Sequence, residues 1–532
     1  MAAPSYLFAG PARDFSDPRD RRLRRMLEIL PGALVWATLL GIPLISFFAP
    51  AVAAGFIIAF DVYWFASTIY VALFVVRSAL KMRAHLRIDW MERLRTLPVA
   101  QIRVPKVSRW EDVIHLVILP TYREGPEIVG PAIASLAAST FPKEKLFVVL
   151  AIEERAGDTA QRTARELRER YTASFGKFLV TVHPADIPGE IAGKGSNEAY
   201  AAQEALRKLI DPSGLAYERV VVSSFDSDTR TPSGYFACLT HHYLTAEKPL
   251  RSSFQPVPLY HNNIWEAPLF SRIAAIGSTV WQLFMQGQPD LLETFSSHSM
   301  PLRALIDAGF WNTRLVSEDS LIFAQCYLAF DGDYRVVSLF YPVSMDANVG
   351  RTFRATMASV YRQHRRWAYG VEKIPYAIFG FVKNKRIPLL ERIRRGLRLV
   401  LGFWSWACAP FLILFLGWLP VMIGGEEFRQ TVLAFNLPRW TRNLMMVATV
   451  GLFVNGGLTF LLLPPRPKGT PRWAYLSMAL QWLLLPFSFI LTSAIPAIDA
   501  ETRMMLGKYL GFWVTEKVRR RPGGVSARGA GT

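Results

Sequence analysis

The chain has 532 residues, too many for one ordinary core, so two or more structural units are expected. It is 51% apolar with a net charge of +19, and its mean hydropathy is +0.20. In a soluble protein that charge would point to nucleic acid. Here the arginines crowd the edges of apolar blocks, which reads instead as positive-inside orientation and attraction to anionic headgroups, with no nucleic-acid partner. Cys238, Cys326 and Cys408 have no metal-ligand spacing and no even count, which argues against a zinc site and a disulfide framework. Residues 1–29 form a basic segment carrying Arg13, Arg19, Arg21, Arg22, Arg24 and Arg25. Two apolar blocks follow it, so anchor helices are expected rather than a cleaved signal peptide. Residues 30–50 carry no charge and 51–76 only Asp61, each long enough to cross roughly 30 Å of hydrocarbon. Arg77, Lys81, Arg83 and Arg87 come next, so 30–76 predicts an in-out-in hairpin with both flanks cytoplasmic. Asp61 would be costly in lipid and is expected to face protein or the interface. Residues 77–103 read as an interfacial helix and linker.

Residues 104–370 change character. Short apolar runs, "VIHLVILP", "LFVVLAI", "KFLVTV" and "RVVVSSF", alternate with helical stretches such as "EIVGPAIASLAAS" and "DTAQRTARELRERY". This βαβ rhythm predicts a Rossmann-like α/β domain with a mainly parallel sheet. Ligands of such sheets bind at the carboxyl ends of the strands. The first strand ends in "PTYREG", placing Thr121 and Glu124 at its mouth, and the second in "IEERAGD", with Glu153 and Glu154 at the same edge. "GKGSNEA" sets Lys194 between two glycines at a helix start, which suits a phosphate without completing a phosphate-loop spacing. "DSDT" places Asp226 and Asp228 two apart just after a strand, so both carboxylates can face one site. Paired hard oxygens suit Mg2+ or Mn2+. "LVSEDS" brings Glu318 and Asp319 to a helix start, where they serve either the helix dipole or a general base. "QHRRW" brings Gln363, Arg366 and Trp367 beside the membrane. Taken singly, these stretches are equally ordinary turns, caps and an Arg/Trp interface belt.

Residues 371–398 mix basic and apolar residues, as an interfacial helix does. The C-terminal membrane region, 399–498, holds three uncharged blocks, 399–425, 444–465 and 474–498. Three crossings would put the end of the chain outside, yet Lys508, Lys517, Arg519, Arg520 and Arg521 argue for inside. Pro486 and Pro496 interrupt the last block, so a broken or re-entrant segment is expected there. In the cytoplasmic tail, 499–532, the stretch from Arg519 onward is expected to be disordered.

The ordered set PTYRE, IEE, GKGSN, DSD, SED and QHRRW, over roughly residues 110–370, resembles the membrane-embedded family 2 glycosyltransferases, which include the cellulose, chitin and hyaluronan synthases. The resemblance implies a GT-A domain, cytoplasmic, on an α-helical transmembrane region, in a multi-pass protein of the bacterial inner membrane. It implies that Thr121, Glu124, Glu153 and Lys194 line the nucleotide-sugar pocket, Glu153 standing where the family usually has aspartate. Asp226 and Asp228 would hold Mg2+ or Mn2+ with the sugar diphosphate, and Asp319 would be the general base. Gln363, Arg366 and Trp367 would contact the diphosphate and the acceptor end, leaving Arg365 to the belt. Ser297 and His298, in "TFSSHS", match the acceptor-holding finger in position but not in pattern. "FWVTEK" is similar to the FxVTxK gating loop of cellulose synthases, through Phe512, Val514, Thr515 and Lys517. That likeness implies a cytoplasmic tail and an even number of crossings after the catalytic domain. The implied reaction is inverting transfer from a nucleotide diphosphate sugar, UDP-sugar by preference, to a growing polysaccharide, with or without partner export subunits. Transfer of one sugar to a lipid, as in ceramide glucosyltransferases, is the alternative. A non-catalytic nucleotide-binding scaffold is the third reading, disfavoured by the intact aspartates.

Overall fold

The computed structural model describes residues 4–515 and 517, with side chains at all of these except 444, 445, 447–450, 452–455 and 459. Arg519–Arg521 and the tail beyond them lie outside the described residues. The apolar runs become strands β1 (Ile114–Thr121), β2 (Leu146–Glu153), β3 (Lys177–His183) and β4 (Val220–Ser224). Every residue of β1, β2 and β4 is buried, as expected of parallel strands covered on both faces. Three more strands, β5 (Ser252–Tyr260), β6 (Ser299–Pro301) and β7 (Arg335–Met345), complete a seven-stranded sheet in the order β3-β2-β1-β4-β6-β5-β7. The sheet is mixed: β6 runs antiparallel to both β4 and β5, and the other pairings are parallel. The pairing of β5 with β7 shifts between Gln255 and Val257, where Pro256 has no amide hydrogen to give.

The helix Asp158–Tyr171 turns Ala160, Thr163, Ala164, Leu167 and Tyr171 inward, a three-to-four-residue spacing that lays one face on β2 and β3. The helix Lys194–Ala205 buries Ala199, Ala201, Ala202 and Ala205 against β1, β2 and β3. Because β1, β2 and β4 are parallel, Thr121, Glu153 and the residues after Ser224 end at one edge of the sheet.

Among the described residues, four helical stretches are long and apolar enough to cross a membrane: Pro18–Phe48, Pro50–Leu86, Leu389–Leu414 and Trp473–Met505. The second continues unbroken into the expected interfacial stretch as far as Leu86, with the short helices Trp90–Arg95 and Val99–Gln101 beyond it. Likewise Leu389–Leu414 begins inside the other expected interfacial region, behind a separate helix, Lys373–Lys383. The helix Val432–Leu462 covers most of the expected crossing at 444–465, where half of the side chains lie outside the description. Asp61 faces protein and accepts a hydrogen bond from Thr441 Oγ1 at 2.8 Å. In the last stretch Pro486 and Pro496 each sit in the first turn of a new α segment, joined by a π turn at Ile490–Ala494, so the helix is irregular where a break was expected.

The first and last membrane-length helices meet. Trp36 Nε1 donates to Thr502 Oγ1 at 2.9 Å, and Arg25 Nη1 to the Met504 carbonyl at 2.9 Å. The basic N-terminal arm and the segment after Met505 therefore lie side by side, against the α/β domain.

Candidate active site

Lys194 is the centre of the site. Its Nζ lies 2.8 Å from Asp226 Oδ1, 2.7 Å from Asp319 Oδ2, 3.5 Å from Glu318 Oε1 and 3.6 Å from Glu198 Oε1. Burial alone would lower the pKa of this lysine, but the surrounding carboxylates, Asp226 and Asp319 foremost, hold it well above the usual range. The two glycines beside it are steric requirements. A Cβ on Gly193 would come 2.5 Å from Phe512 Cβ, and one on Gly195 would come 2.9 Å from Glu318 Cβ. The first close approach docks the C-terminal segment on the lysine loop, and the second seats the SED helix against it.

Asp226 and Asp228 follow β4 as the spacing predicts. Ser296 Oγ donates to Asp226 Oδ2 at 2.7 Å. Burial works against the Asp226 charge, but Lys194, Lys517 and Ser296 together hold its carboxyl well below the carboxylate range. Asp228 is pushed up, by burial first and then by Asp346 and Asp226, despite Lys517 Nζ at 2.8 Å from its Oδ1. The Asp346 amide donates to Asp228 Oδ2 at 2.9 Å. Lys517 also reaches Ser227 Oγ, at 3.1 Å, and Ser227 Oγ donates at 3.3 Å to Glu124 Oε1. A half-buried carboxylate, firmly ionised, beside a buried one is a fitting donor pair for a hard divalent cation, whose charge would share theirs with the lysines. A different acidic trio, Glu198, Glu318 and Asp319, also brings ligand atoms within 4.8 Å of one another. Lys194 contacts all three of these, so their charge is already answered by a buried ammonium. The aspartate pair is answered in the same way, Asp226 by Lys194 and Asp228 by Lys517, so charge balance alone does not separate the two candidate cation sites.

The other expected residues fall around this centre. Thr121 is buried at the end of β1. Glu124 is tied into its own turn, accepting from the Tyr122 amide at 2.8 Å. Glu153 pairs with Arg155, whose guanidinium lies 4.5 Å over the Tyr122 ring, so its charge is already answered. Ser297, at φ 66°, sits in the left-handed region and exchanges a hydrogen bond with Thr229 Oγ1 at 2.9 Å. His298 is fully buried, with Nδ1 2.9 Å from the Phe295 carbonyl and 4.0 Å from Asp319 Oδ1. Burial lowers its pKa, which favours the neutral imidazole. On the helix Phe353–Ala368, Gln363 Oε1 accepts from Asn348 Nδ2 at 3.2 Å, Arg366 lies 4.8 Å over the Phe512 ring, and the Trp367 ring lies 6.1 Å from that of Tyr260. Of the last segment, Phe512 and Lys517 enter the site, Val514 is half-buried, and Thr515 Oγ1 is buried without a hydrogen-bond partner among the described residues. Arg365 is not a belt residue: its Nη1 is 2.9 Å from Asp499 Oδ2, which also takes the Tyr361 hydroxyl at 3.0 Å, and this clamps the QHRRW helix to the last membrane-length helix.

Sequence reasoning missed Ser296, Glu198, Asp346 and Glu372. Glu198 had a signal, four residues after Lys194 on one helix face. Glu372 had none, yet it braces the turn that carries Asp319. One of its carboxylate oxygens accepts from the Val316 amide, the Ser317 amide and Ser317 Oγ, each at 2.7 Å. Burial pushes Glu372 up from 4.5 to about 7, against the pull of the Ser317 and Val316 hydrogen bonds and of Arg24. Between those two values the folded protein keeps a proton that the unfolded chain has released, so stability falls as pH rises through the window, by about 3 kcal/mol in all. Glu372→Gln is therefore expected to flatten the decline of the thermal midpoint from pH 4.5 to about 7. Parallel curves for variant and wild type would show that Glu372 does not titrate there.

No protein-family model matches the chain, and no curated protein does. Among solved structures it is similar to the mannosyltransferase PcManGT from Pyrobaculum calidifontis in complex with GDP-Man and Mn2+, at 14% identity over 82% of this chain and 99% of that one, with a TM-score of 0.38. It is also similar to S. aureus TarS 1-349 in complex with UDP-GlcNAc, at 12% identity over 75% of this chain and 93% of that one, with a TM-score of 0.35.

Proposed function

We propose that the chain is a membrane-embedded, inverting glycosyltransferase of family 2, with a cytoplasmic GT-A domain, that extends a polysaccharide from a nucleotide diphosphate sugar. The observation that carries this reading is the placement of Lys194 Nζ, 2.8 Å from Asp226 and 2.7 Å from Asp319, under a segment whose Lys517 holds Asp228. A carboxylate pair for a sugar diphosphate thus stands one lysine away from a carboxylate for an acceptor. Asp319 takes the acceptor's hydroxyl proton as that oxygen attacks the anomeric carbon from the face opposite the leaving diphosphate. Lys194, Arg366 and Lys517 stabilise the charge that develops on the departing diphosphate. Mg2+ or Mn2+ held by Asp226 and Asp228 would neutralise part of that charge when bound. Trp367 and Tyr260 offer apolar ring faces to a sugar. The meeting of the N-terminal arm with the segment after Met505 supports a cytoplasmic position for both.

A screen of nucleotide diphosphate sugars with the purified protein tests the reading. One donor is expected to release its diphosphate, with a polymeric product; no release from any donor would sink the assignment. Transfer of one sugar to a lipid is the second reading, favoured by the small number of membrane-length helices, four among the described residues. A single glycolipid product would select it. Lys517 is at present the counter-ion of Asp228, so Lys517→Gln is expected to tighten Mn2+ binding, read by the loss of the free-ion paramagnetic signal, while slowing transfer. Weaker Mn2+ binding in that variant would remove Lys517 from the cation's site.

A further inference from the structure

The turn that carries Asp319 and the segment that carries Phe512 share a wall the proposed reaction does not use. A cavity of about 110 Å³ lies there, between the N-terminal arm, the first turns of the helix Pro18–Phe48 and the segment Tyr509–Gly511. Arg13, Arg24 and Arg314 line it, with Glu28 and Glu372. Arg13 and Arg314 are exposed, whereas Arg24 is only 1% exposed. Arg24 Nε and Nη1 are buried and have no hydrogen-bond partner among the described residues.

The neighbouring carboxylates sit close enough to pair with the Arg24 charge but leave its Nε and Nη1 without a hydrogen bond. Glu28 Oε1 is 3.9 Å from Arg24 Nε and already accepts from the Ala12 amide at 2.7 Å. Glu28 Oε2 takes the Tyr509 hydroxyl at 2.7 Å and Arg25 Nη1 at 3.1 Å. The bonded oxygen of Glu372 is committed to Val316 and Ser317. A buried guanidinium with donors left over, beside two more arginines at an open mouth, is costly as it stands and is completed by an anion.

We propose that this cavity is a binding site for the phosphate group of a small anion, received by Arg24 at the floor and by Arg13 and Arg314 at the mouth. The volume corresponds to roughly three or four waters, enough for one phosphate group and not for a nucleotide. Binding does not depend on the reaction assigned above; its regulatory consequence does. Tyr509–Gly511 lead directly into Phe512, and Glu372 braces the Asp319 turn, so an occupied cavity stiffens both the closing segment and the base.

Amide hydrogen exchange of the full-length protein tests this, with inorganic phosphate added in a neutral detergent as one arm and nanodiscs containing phosphatidic acid as the other. Protection is expected at residues 10–13 and 507–511, and the arm that shows it tells whether the phosphate is soluble or a lipid headgroup. Protection at Lys194 and Lys517 instead would report the donor site. Arg314→Ala, at the exposed mouth where folding is not at risk, is expected to raise the half-protecting concentration about tenfold without changing basal donor turnover. No protection at 10–13 and 507–511 in either arm, or protection that survives both Arg314→Ala and Arg13→Ala, would leave a water-filled cavity and overturn the proposal.

Discussion

Asp319→Asn is expected to lower sugar transfer by about 10³-fold while leaving the affinity for the nucleotide diphosphate almost unchanged. The substitution keeps the size of the side chain and one oxygen to face Lys194, and the lysine retains Asp226, Glu198 and Glu318. What it removes is the group proposed above to accept the proton. Its neighbour Glu318 is a poor understudy. Burial first, and the Asp319 charge next, push Glu318 up to about 8, so at neutral pH it already carries a proton. Diphosphate release and product formation should fall together, and calorimetric binding of the diphosphate should persist. If the variant keeps transfer within a few-fold of wild type, the proton goes elsewhere and Asp319 is only a counter-ion of Lys194.

The centre of the site was legible because strand ends converge. An apolar run that stops at "DSD" announces both the strand and where its carboxylates point, and β1, β2 and β4 are all runs of that kind. The far half of the sheet gave no such signal. β5 contains Pro256 and Pro258, β6 has three residues, and neither forms without partners distant in sequence. Glu153 shows the limit of reading a strand end alone, since Arg155, two residues on, takes its charge. Arg365 was misread for a related reason: its partner Asp499 lies 134 residues away, and a basic residue beside the membrane looks like a belt until that carboxylate is seen. Ser296, Asp346 and Glu372 touch the site through loops whose course no local pattern encodes. The motif lysine, by contrast, does lie at the strand-end edge where it was expected, but that its neighbours would include four carboxylates was not visible from "GKGSN".

That arrangement sets the largest expected effect on stability. Lys194→Met would leave Asp226, Asp319, Glu198 and Glu318 facing one another in a buried site with their shared cation gone. Removing one partner of a buried ionic group costs about 3–5 kcal/mol, because the remaining charges stay desolvated and unanswered. The variant is therefore expected to lose transfer and to melt at a lower temperature in the presence of a chelator. It has two ways to recover. Lowering the pH protonates the carboxylates that still carry charge, and burial already pushes both Glu198 and Glu318 upward. Adding Mg2+ or Mn2+ supplies the missing positive charge, and the trio of Glu198, Glu318 and Asp319, with ligand atoms within 4.8 Å of one another, is where it would enter. The wild type, whose trio is filled by the lysine, should gain less from the same ion. Thermal midpoints of both proteins, with chelator and with each ion, decide the matter. A Lys194→Met protein as stable as wild type in chelator, and indifferent to the ions, would mean that the carboxylates do not depend on the lysine for their charge balance.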